Sequence, residues 1–300
     1  MTSTPENQTS TGFDRPIHFA IPARDARGRL VRLGPVLGEI LEPHSYPPAI
    51  AHLLADALTV CALMGSLLKD EGSQMTMQAQ GKGGPVSLLV CDYREGEVRG
   101  YVDCDKDAAA GLTPGAPLSV LFGEGHLAVT FDLPVKPGRY QGIVPLEGRS
   151  IGEAVERYFV QSEQLPSLIR TAIDLDGEPV AAGILLQHLP DGEEGRERLH
   201  VRLDHPEWEH VATMGGSIRR EELLEKDLSL EEIVWRLFHE EREVLSEQGP
   251  PLSRGCRCSV IHFENVLSRF PKEERDDMRS DDGFIRVDCA FCSREFLVED

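Results

Sequence analysis

The chemistry open to this chain sits in four cysteines near the end of its sequence. Cys256-Arg257-Cys258 is followed, after the 30 residues 259–288, by Cys289-Ala290-Phe291-Cys292. In extended backbone, residues i and i+2 point to the same side, so a Cys-x-Cys pair can turn both sulfurs toward one ion. Cys-x-x-Cys is the common turn that closes a tetrahedral thiolate site. Two such pairs suit Zn²⁺ best, with an iron–sulfur cluster as the other soft-ligand candidate. The single intervening residue in the first pair departs from ordinary zinc knuckles, so a metal clamp and a reactive thiol pair can be one object. Zinc would keep the sulfurs as thiolates, the form that attacks peroxide or hypochlorous acid. Oxidising one pair would remove two ligands, and with them folding free energy on the order of 10 kcal/mol. A structural zinc ribbon that never responds to oxidant fits the same spacing. His262 is a spare candidate ligand that a complete four-thiolate shell leaves without a role.

The other candidate chemistry is weaker. Cys61 and Cys91 lie in apolar runs and read as packed, structural thiols; Cys104, in Val102-Asp-Cys-Asp105, is open. Gly81-Lys-Gly-Gly84-Pro85 lacks the spacing of a phosphate-binding fingerprint and reads as a turn before a strand. A Cys₄ shell has no open position for a water, and Cys289 lacks a thioredoxin-like βαβ setting, so an enzyme is not expected.

The surrounding elements read as an α+β protein in three parts behind a polar tail. Residues 1–16 form the tail, which shows no apolar secretory core. Residues 17–190 form an antiparallel-rich mixed domain. Arg29–Leu33 and Val36–Leu41 are short candidate strands, and Pro47-Pro48 opens a long apolar helix to about Lys69. That helix contains His52 and Asp56 and reads as a buried core helix, not a membrane span. Val86–Tyr93 with Glu97–Val102, and Leu118–Phe122 with Leu127–Phe131, read as hairpins. Ser150-Ile-Gly-Glu153 caps a helix through Phe159, and Val180–His188 is a buried strand.

Residues 191–250 form an acidic helical linker, opened by the turn-like Pro190-Asp191-Gly192. Ser229-Leu-Glu-Glu232 is a capping box, with Leu228 stapled onto Ile233. A stripe of Ile233, Val234, Leu237, Phe238, Val244 and Leu245 predicts a helix over 229–245 that docks on the 17–190 domain. Trp235 falls off that stripe, toward a second surface. Residues 251–300 form the cysteine unit, with too few apolar groups for a core of their own.

The net charge is −20. Segment by segment it is −8 over 1–190 (15 basic, 23 acidic), −9 over 191–250 (8 and 17) and −3 over 251–300 (8 and 11). No segment offers a basic face, which argues against nucleic acid and anionic membrane as partners. Seven cysteines, an odd number, without a secretory signal point to a reducing cytoplasm, where clustered thiols mean metal or redox chemistry.

Further stretches carry a family resemblance. They are Gly28-Arg-Leu-Val-Arg-Leu33, His44-Ser-Tyr-Pro47, Gln80-Gly-Lys-Gly-Gly-Pro85, Val98-Arg-Gly-Tyr101, Tyr140-Gln-Gly142, Tyr158-Phe-Val-Gln-Ser-Glu-Gln164, Gly183-Ile-Leu-Leu-Gln187 and Arg236-Leu-Phe-His-Glu240. With the four cysteines they resemble the redox-regulated heat-shock protein 33 chaperones, from about residue 17 to the end. The polar tail and the second glycine of Gly81–Gly84 depart from the pattern without touching the cysteines.

The resemblance implies a cytoplasmic holdase that needs no ATP and is inactive while reduced and zinc-bound. It implies oxidation to Cys256–Cys258 and Cys289–Cys292 disulfides, zinc release, and loss of structure in the cysteine unit and linker. A monomer would then become a homodimer that holds unfolding client proteins. Without the resemblance, the alternatives are a zinc-ribbon nucleic-acid protein and a structural zinc protein with no switch.

Overall fold

The computed structural model describes residues 12–134, 138–189 and 205–299. The sequence-predicted tail up to residue 11 and the opening turn of the linker lie outside them. The fold is α+β and its strands pair almost entirely antiparallel, as expected. The first sheet, sheet A, has the order β10-β1-β2-β9-β8. Its strands are β1 (Ile17–Ile21), β2 (Ala26–Leu33), β8 (Ser167–Asp174), β9 (Val180–His188) and β10 (Leu245–Gln248). Sheet B has the order β11-β5-β4-β3-β6-β7. It contains β3 (Gln74–Gly83), β4 (Val86–Arg94), β5 (Glu97–Cys104), β6 (Gly123–Asp132), β7 (Arg139–Pro145) and the two-residue β11 (Ser253–Arg254), whose pairing with β5 is parallel. A separate hairpin joins β12 (Ile285–Asp288) to β13 (Glu295–Val298).

Helix α2 (Pro48–Gly65) lies between the sheets and contacts strands of both. It is long and apolar enough to cross a membrane, but nearly all of it is buried in the protein interior. Its one buried carboxylate, Asp56, accepts from the Thr171 hydroxyl at 2.7 Å and the Ile151 amide at 2.9 Å. The second bond caps α5 (Ile151–Tyr158) from outside. Desolvation raises the Asp56 pKa.

Strand β9 is buried along its whole length because both of its faces are covered. Ala181 and Leu185 join the core around α2, while Ala182, Ile184 and Leu186 face the opposite way into a second apolar cluster. The linker supplies the other half of that cluster through α6 (Pro206–Gly216), α7 (Arg220–Leu224) and α8 (Leu230–Phe238), so the linker docks on sheet A as its stripe required. The Ser229 box is complete: Glu232 N–H donates to Ser229 Oγ and Ser229 N–H to the Glu232 carboxylate.

Several local readings need correction. Val36–Leu41 is a helix, α1 (Pro35–Leu41), because Pro35 starts it and the Asp14 carboxylate accepts from the Gly34 and Val36 amides at 3.0 and 3.1 Å. That cap comes from a residue far upstream, so no local pattern announced it. Leu118–Phe122 is also a helix, α4, which buries Leu118, Leu121 and Phe122 at helical spacing. Gly123, with φ of 67°, ends it and begins β6. The partners of β6 are β3 and β7. Helix α8 stops at Phe238, not Leu245. Glu241, just beyond it, is drawn to Arg24 at 3.0 Å and His210 at 2.7 Å, and Leu245 enters β10. Among the described residues Trp235 packs on the His239 ring and is 65% exposed, so it is not covered by a second surface. The short α3 (Lys106–Ala109) completes the helices before the cysteine unit.

Candidate metal centre

Chain geometry brings the four cysteines together from two places. Cys256 and Cys258 follow β11 directly and precede α9 (Val260–Leu267), whose first turn is capped by the Ser259 hydroxyl accepting from His262 N–H at 3.1 Å. Cys289 and Cys292 occupy the turn of the β12–β13 hairpin. There the Cys292 and Ser293 amides donate to the Cys289 carbonyl at 3.2 and 2.8 Å, with Ser293 in the left-handed region at φ 53°.

Cys256 Sγ lies 3.1 Å from Cys258 Sγ and 3.6 Å from Cys289 Sγ, and Cys258 Sγ lies 3.5 Å from Cys292 Sγ. All four sulfurs fall within 4.8 Å of one another. A zinc ion with Zn–S bonds near 2.3 Å separates its sulfurs by about 3.8 Å in a tetrahedron. The donor set and its spacing therefore fit a four-coordinate soft ion. His262 is not part of the cluster.

The protonation pattern shows what these sulfurs do for one another. Burial pushes the Cys256 thiol up, but hydrogen bonds from the Cys258 thiol and backbone and from Cys292 and Cys289 outweigh it and bring Cys256 to about 7. Cys258 moves upward, through burial first and then its bonds to Cys256, Cys292 and Cys289. Cys289 also moves up, through burial. One sulfur is thus poised as a thiolate while its neighbours donate to it, a cage ready to exchange shared protons for a cation.

By contrast, Cys61 and Cys91 are fully buried, with burial raising both thiols far above their ordinary range. Cys104 is raised by burial to a lesser degree. Gly81 and Gly84 pack against the Phe122 backbone, where a Cβ would come within 2.4–2.7 Å of neighbouring atoms. The glycine run is a packing device of the β3–β4 hairpin.

The cysteine unit has almost no core of its own. Among the described residues its buried cluster is Leu267, Ile285 and Val298, with Phe263 and Val287 against them, and α10 (Lys272–Asp277) buries nothing. It leans instead on sheet B through Phe291, the residue between Cys289 and Cys292. The Arg99 guanidinium lies 3.9 Å over the Phe291 ring, and Tyr101 meets it edge-on at 4.9 Å. His44 Nε2 is 3.2 Å from the Phe291 carbonyl, and His44 Nδ1 is 3.2 Å from Ser293 Oγ. Asp92 holds Arg99 in place at 2.6 Å and is itself fixed by the Thr76 hydroxyl at 2.7 Å. Arg257, between the first two cysteines, donates to Gln74 at 2.9 Å and pairs with Glu97 at 3.6 Å.

Sequence reasoning passed over Phe291, Arg257 and the role of His44. The signal was present, since two of the recurrent stretches, His44–Pro47 and Val98–Tyr101, supply the partners of Phe291.

The sequence profile of the Hsp33 protein family matches residues 14–299. The chain belongs to that family. It is 36% identical over 291 residues to the 33 kDa chaperonin of Caulobacter vibrioides, covering 94% of this chain and 93% of that one. It is 35% identical over 274 residues to the 33 kDa chaperonin of Escherichia coli strain K12, covering 90% and 87%. Its fold is that of the crystal structure of the 33 kDa chaperonin from Thermotoga maritima, with a TM-score of 0.76, 24% identity and 95% of each chain covered. An Hsp33 fold with four clustered cysteines beside the last strand of sheet B fits a chaperone, and those cysteines could hold a metal ion.

Proposed function

We propose that this protein is a redox-switched holdase, inactive with zinc on Cys256, Cys258, Cys289 and Cys292 and activated when oxidant converts those thiolates to disulfides. The observation that carries the reading is the position of the cluster. It sits in a unit with a three-residue buried core, eight residues beyond the end of β10 and next to the residue that docks the unit on sheet B. Bound zinc would supply the cohesion that the apolar core lacks and would keep all four sulfurs nucleophilic.

In the proposed switch a cysteine thiolate attacks a peroxide oxygen, giving a sulfenic acid and releasing water after protonation. The neighbouring thiolate then displaces hydroxide and closes the disulfide. Each pair gives two electrons to one peroxide. The Cys256–Cys258 and Cys289–Cys292 pairings use the shortest connections in the chain. With two or four ligands gone, the 251–300 unit and the 191–250 linker lose their order.

Linker release is energetically within reach. Helix α8 buries five apolar side chains, worth on the order of 10 kcal/mol in gross terms. Ordering its residues costs roughly 1–2 kcal/mol each, which nearly cancels the gain. The apolar face of sheet A uncovered by that release supports binding of unfolding client proteins and dimerisation of the oxidised form. The proposed compartment is a reducing cytoplasm, with no nucleic-acid, membrane or catalytic role.

The test is suppression of aggregation of a thermally unfolding client by the protein before and after peroxide treatment. Protection only after oxidation, reversed by reductant with zinc, supports the reading. Equal protection by both forms would remove the switch, and none by either would remove the holdase.

A further inference from the structure

One ten-residue strap, Leu245–Arg254, closes an open edge on each of the two sheets. Its first part, β10, covers β1 at the edge of sheet A, and its last part, β11, covers β5 at the edge of sheet B. Gly249-Pro250-Pro251 joins them. The strap ends one residue before Gly255 and two before Cys256.

The strap fits both edges closely in its backbone. The Gly249 amide donates to Pro16 O at 2.8 Å, Ser253 N to Gly96 O at 3.0 Å and Gly255 N to Val98 O at 2.9 Å. A Cβ at Gly249 would come within 2.7 Å of His18 Nε2, and one at Gly255 within 2.5 Å of Glu97 Cβ. A larger residue at either position would have to displace those side chains.

Its side chains fit much less well. All four residues of β10 are exposed. Gln248 stands opposite Ile17 and Ser246 opposite Phe19, although Ile17 and Phe19 belong to the apolar cluster under the linker. Directly opposite residues point to the same side of a sheet. Polar residues therefore occupy the two strap positions where apolar ones would extend the apolar face. β10 fills the edge mainly with its main-chain groups.

We propose that the released strap is replaced by an extended client segment, which adds as a strand to the β1 edge. This rests on the holdase reading above and names the form in which a client is held. Continuing the Gly249–Pro16 bond by the alternation of an antiparallel ladder, His18 and Ala20 present their N–H and C=O groups to that edge. An unpaired edge is a ready template for strand addition, and it recognises any extended chain through its main chain. A client segment with apolar residues at alternate positions covers the side of Ile17 and Phe19 better than Ser246 and Gln248 do. Main-chain recognition explains how one surface can hold many sequences.

The test uses oxidised, zinc-free full-length protein and a labelled short peptide of alternating valine and threonine. Its partner is the same peptide N-methylated at the amides that would face the edge. The methylated peptide keeps its apolar side chains and loses the ladder, so it should bind roughly tenfold more weakly. A photoreactive group on the unmodified peptide should cross-link to 16–21. Equal binding of both peptides, or cross-links confined to the other sheet edges, β5, β7 and β8, overturns strand addition at β1 while leaving the holdase intact. Binding of neither peptide by protein that also fails to protect an unfolding client overturns both.

Discussion

Replacing Phe291 with alanine should separate docking of the cysteine unit from metal binding. Phe291 contributes no ligand, yet its ring is the main contact between the Cys289–Cys292 turn and sheet B. The substitution removes a cation–π contact to Arg99, worth about 0.5–1 kcal/mol at a part-exposed site. It also removes an edge-to-face contact to Tyr101, worth about 0.5–1.5 kcal/mol, and burial of a half-covered ring, worth about 1 kcal/mol. Together these give about 2–3.5 kcal/mol, a roughly 30- to 400-fold loss in the docking equilibrium. Hydrogen exchange on reduced, zinc-loaded protein should then accelerate by that factor across 245–258, with zinc stoichiometry unchanged. Phe291→Leu, which keeps much of the area and loses the ring, should fall between. The reasoning is refuted if exchange there is unchanged, or if Phe291→Ala loses its zinc.

Chelating zinc from the reduced protein, or changing Cys292 to serine, should melt 256–298 together with β10, β11 and the linker helices, and leave strands β1 to β9 intact. Far-ultraviolet circular dichroism with exchange mapping reads this, and loss of the whole fold would contradict it. Acidification should loosen α6. Burial first, and the charge of His205 second, hold His188 below its ordinary value, while the neighbouring Asp25 and the Arg24 and Asp25 carbonyls pull weakly upward. The released state then takes a proton near pH 6.5 before the docked state does, so docking weakens as pH falls through about 6.5 toward the lower docked value. Trp208 emission, from a ring stacked 6.2 Å from His188, should shift over that window, and His188→Gln should abolish the shift. Arg32, fully buried, donates to the Leu223 and Leu228 carbonyls at 2.9 Å each. Arg32→Met leaves both without a donor, at roughly 1–3 kcal/mol apiece, so exchange over 220–238 should quicken. Slower exchange would mean that burying the cation is the larger cost.

The candidate site was legible in the sequence because four soft ligands in two close pairs constrain geometry whatever the rest of the fold does. The α+β class, α2, β9 and the capped start of α8 were legible for a similar reason, since each has a strong local pattern. The errors came where a distant partner decides. Asp14 caps α1 across the gap to Gly34, the ion pairs of Glu241 draw the chain away from α8, and β10 exists only because β1 lies beside it. Strand β3 does alternate, with Met75, Met77 and Ala79 buried between polar residues, whereas β7 is exposed along most of its length and buries only Val144. Phe291 looked like a spacer between ligands because its partners lie some 190 to 250 residues away in sequence.

The central claim is that the state of the four cysteines sets whether the linker is docked. Tryptophan emission recorded during peroxide treatment at raised temperature, with a zinc indicator in the same cuvette, tests it most directly. Trp208 is 8% exposed and Trp235 65% exposed, so a red shift would come from Trp208 leaving sheet A. The account predicts zinc release followed by that shift, retained in Trp235→Phe. Zinc that stays bound through oxidation, or leaves with no change in emission, would contradict it.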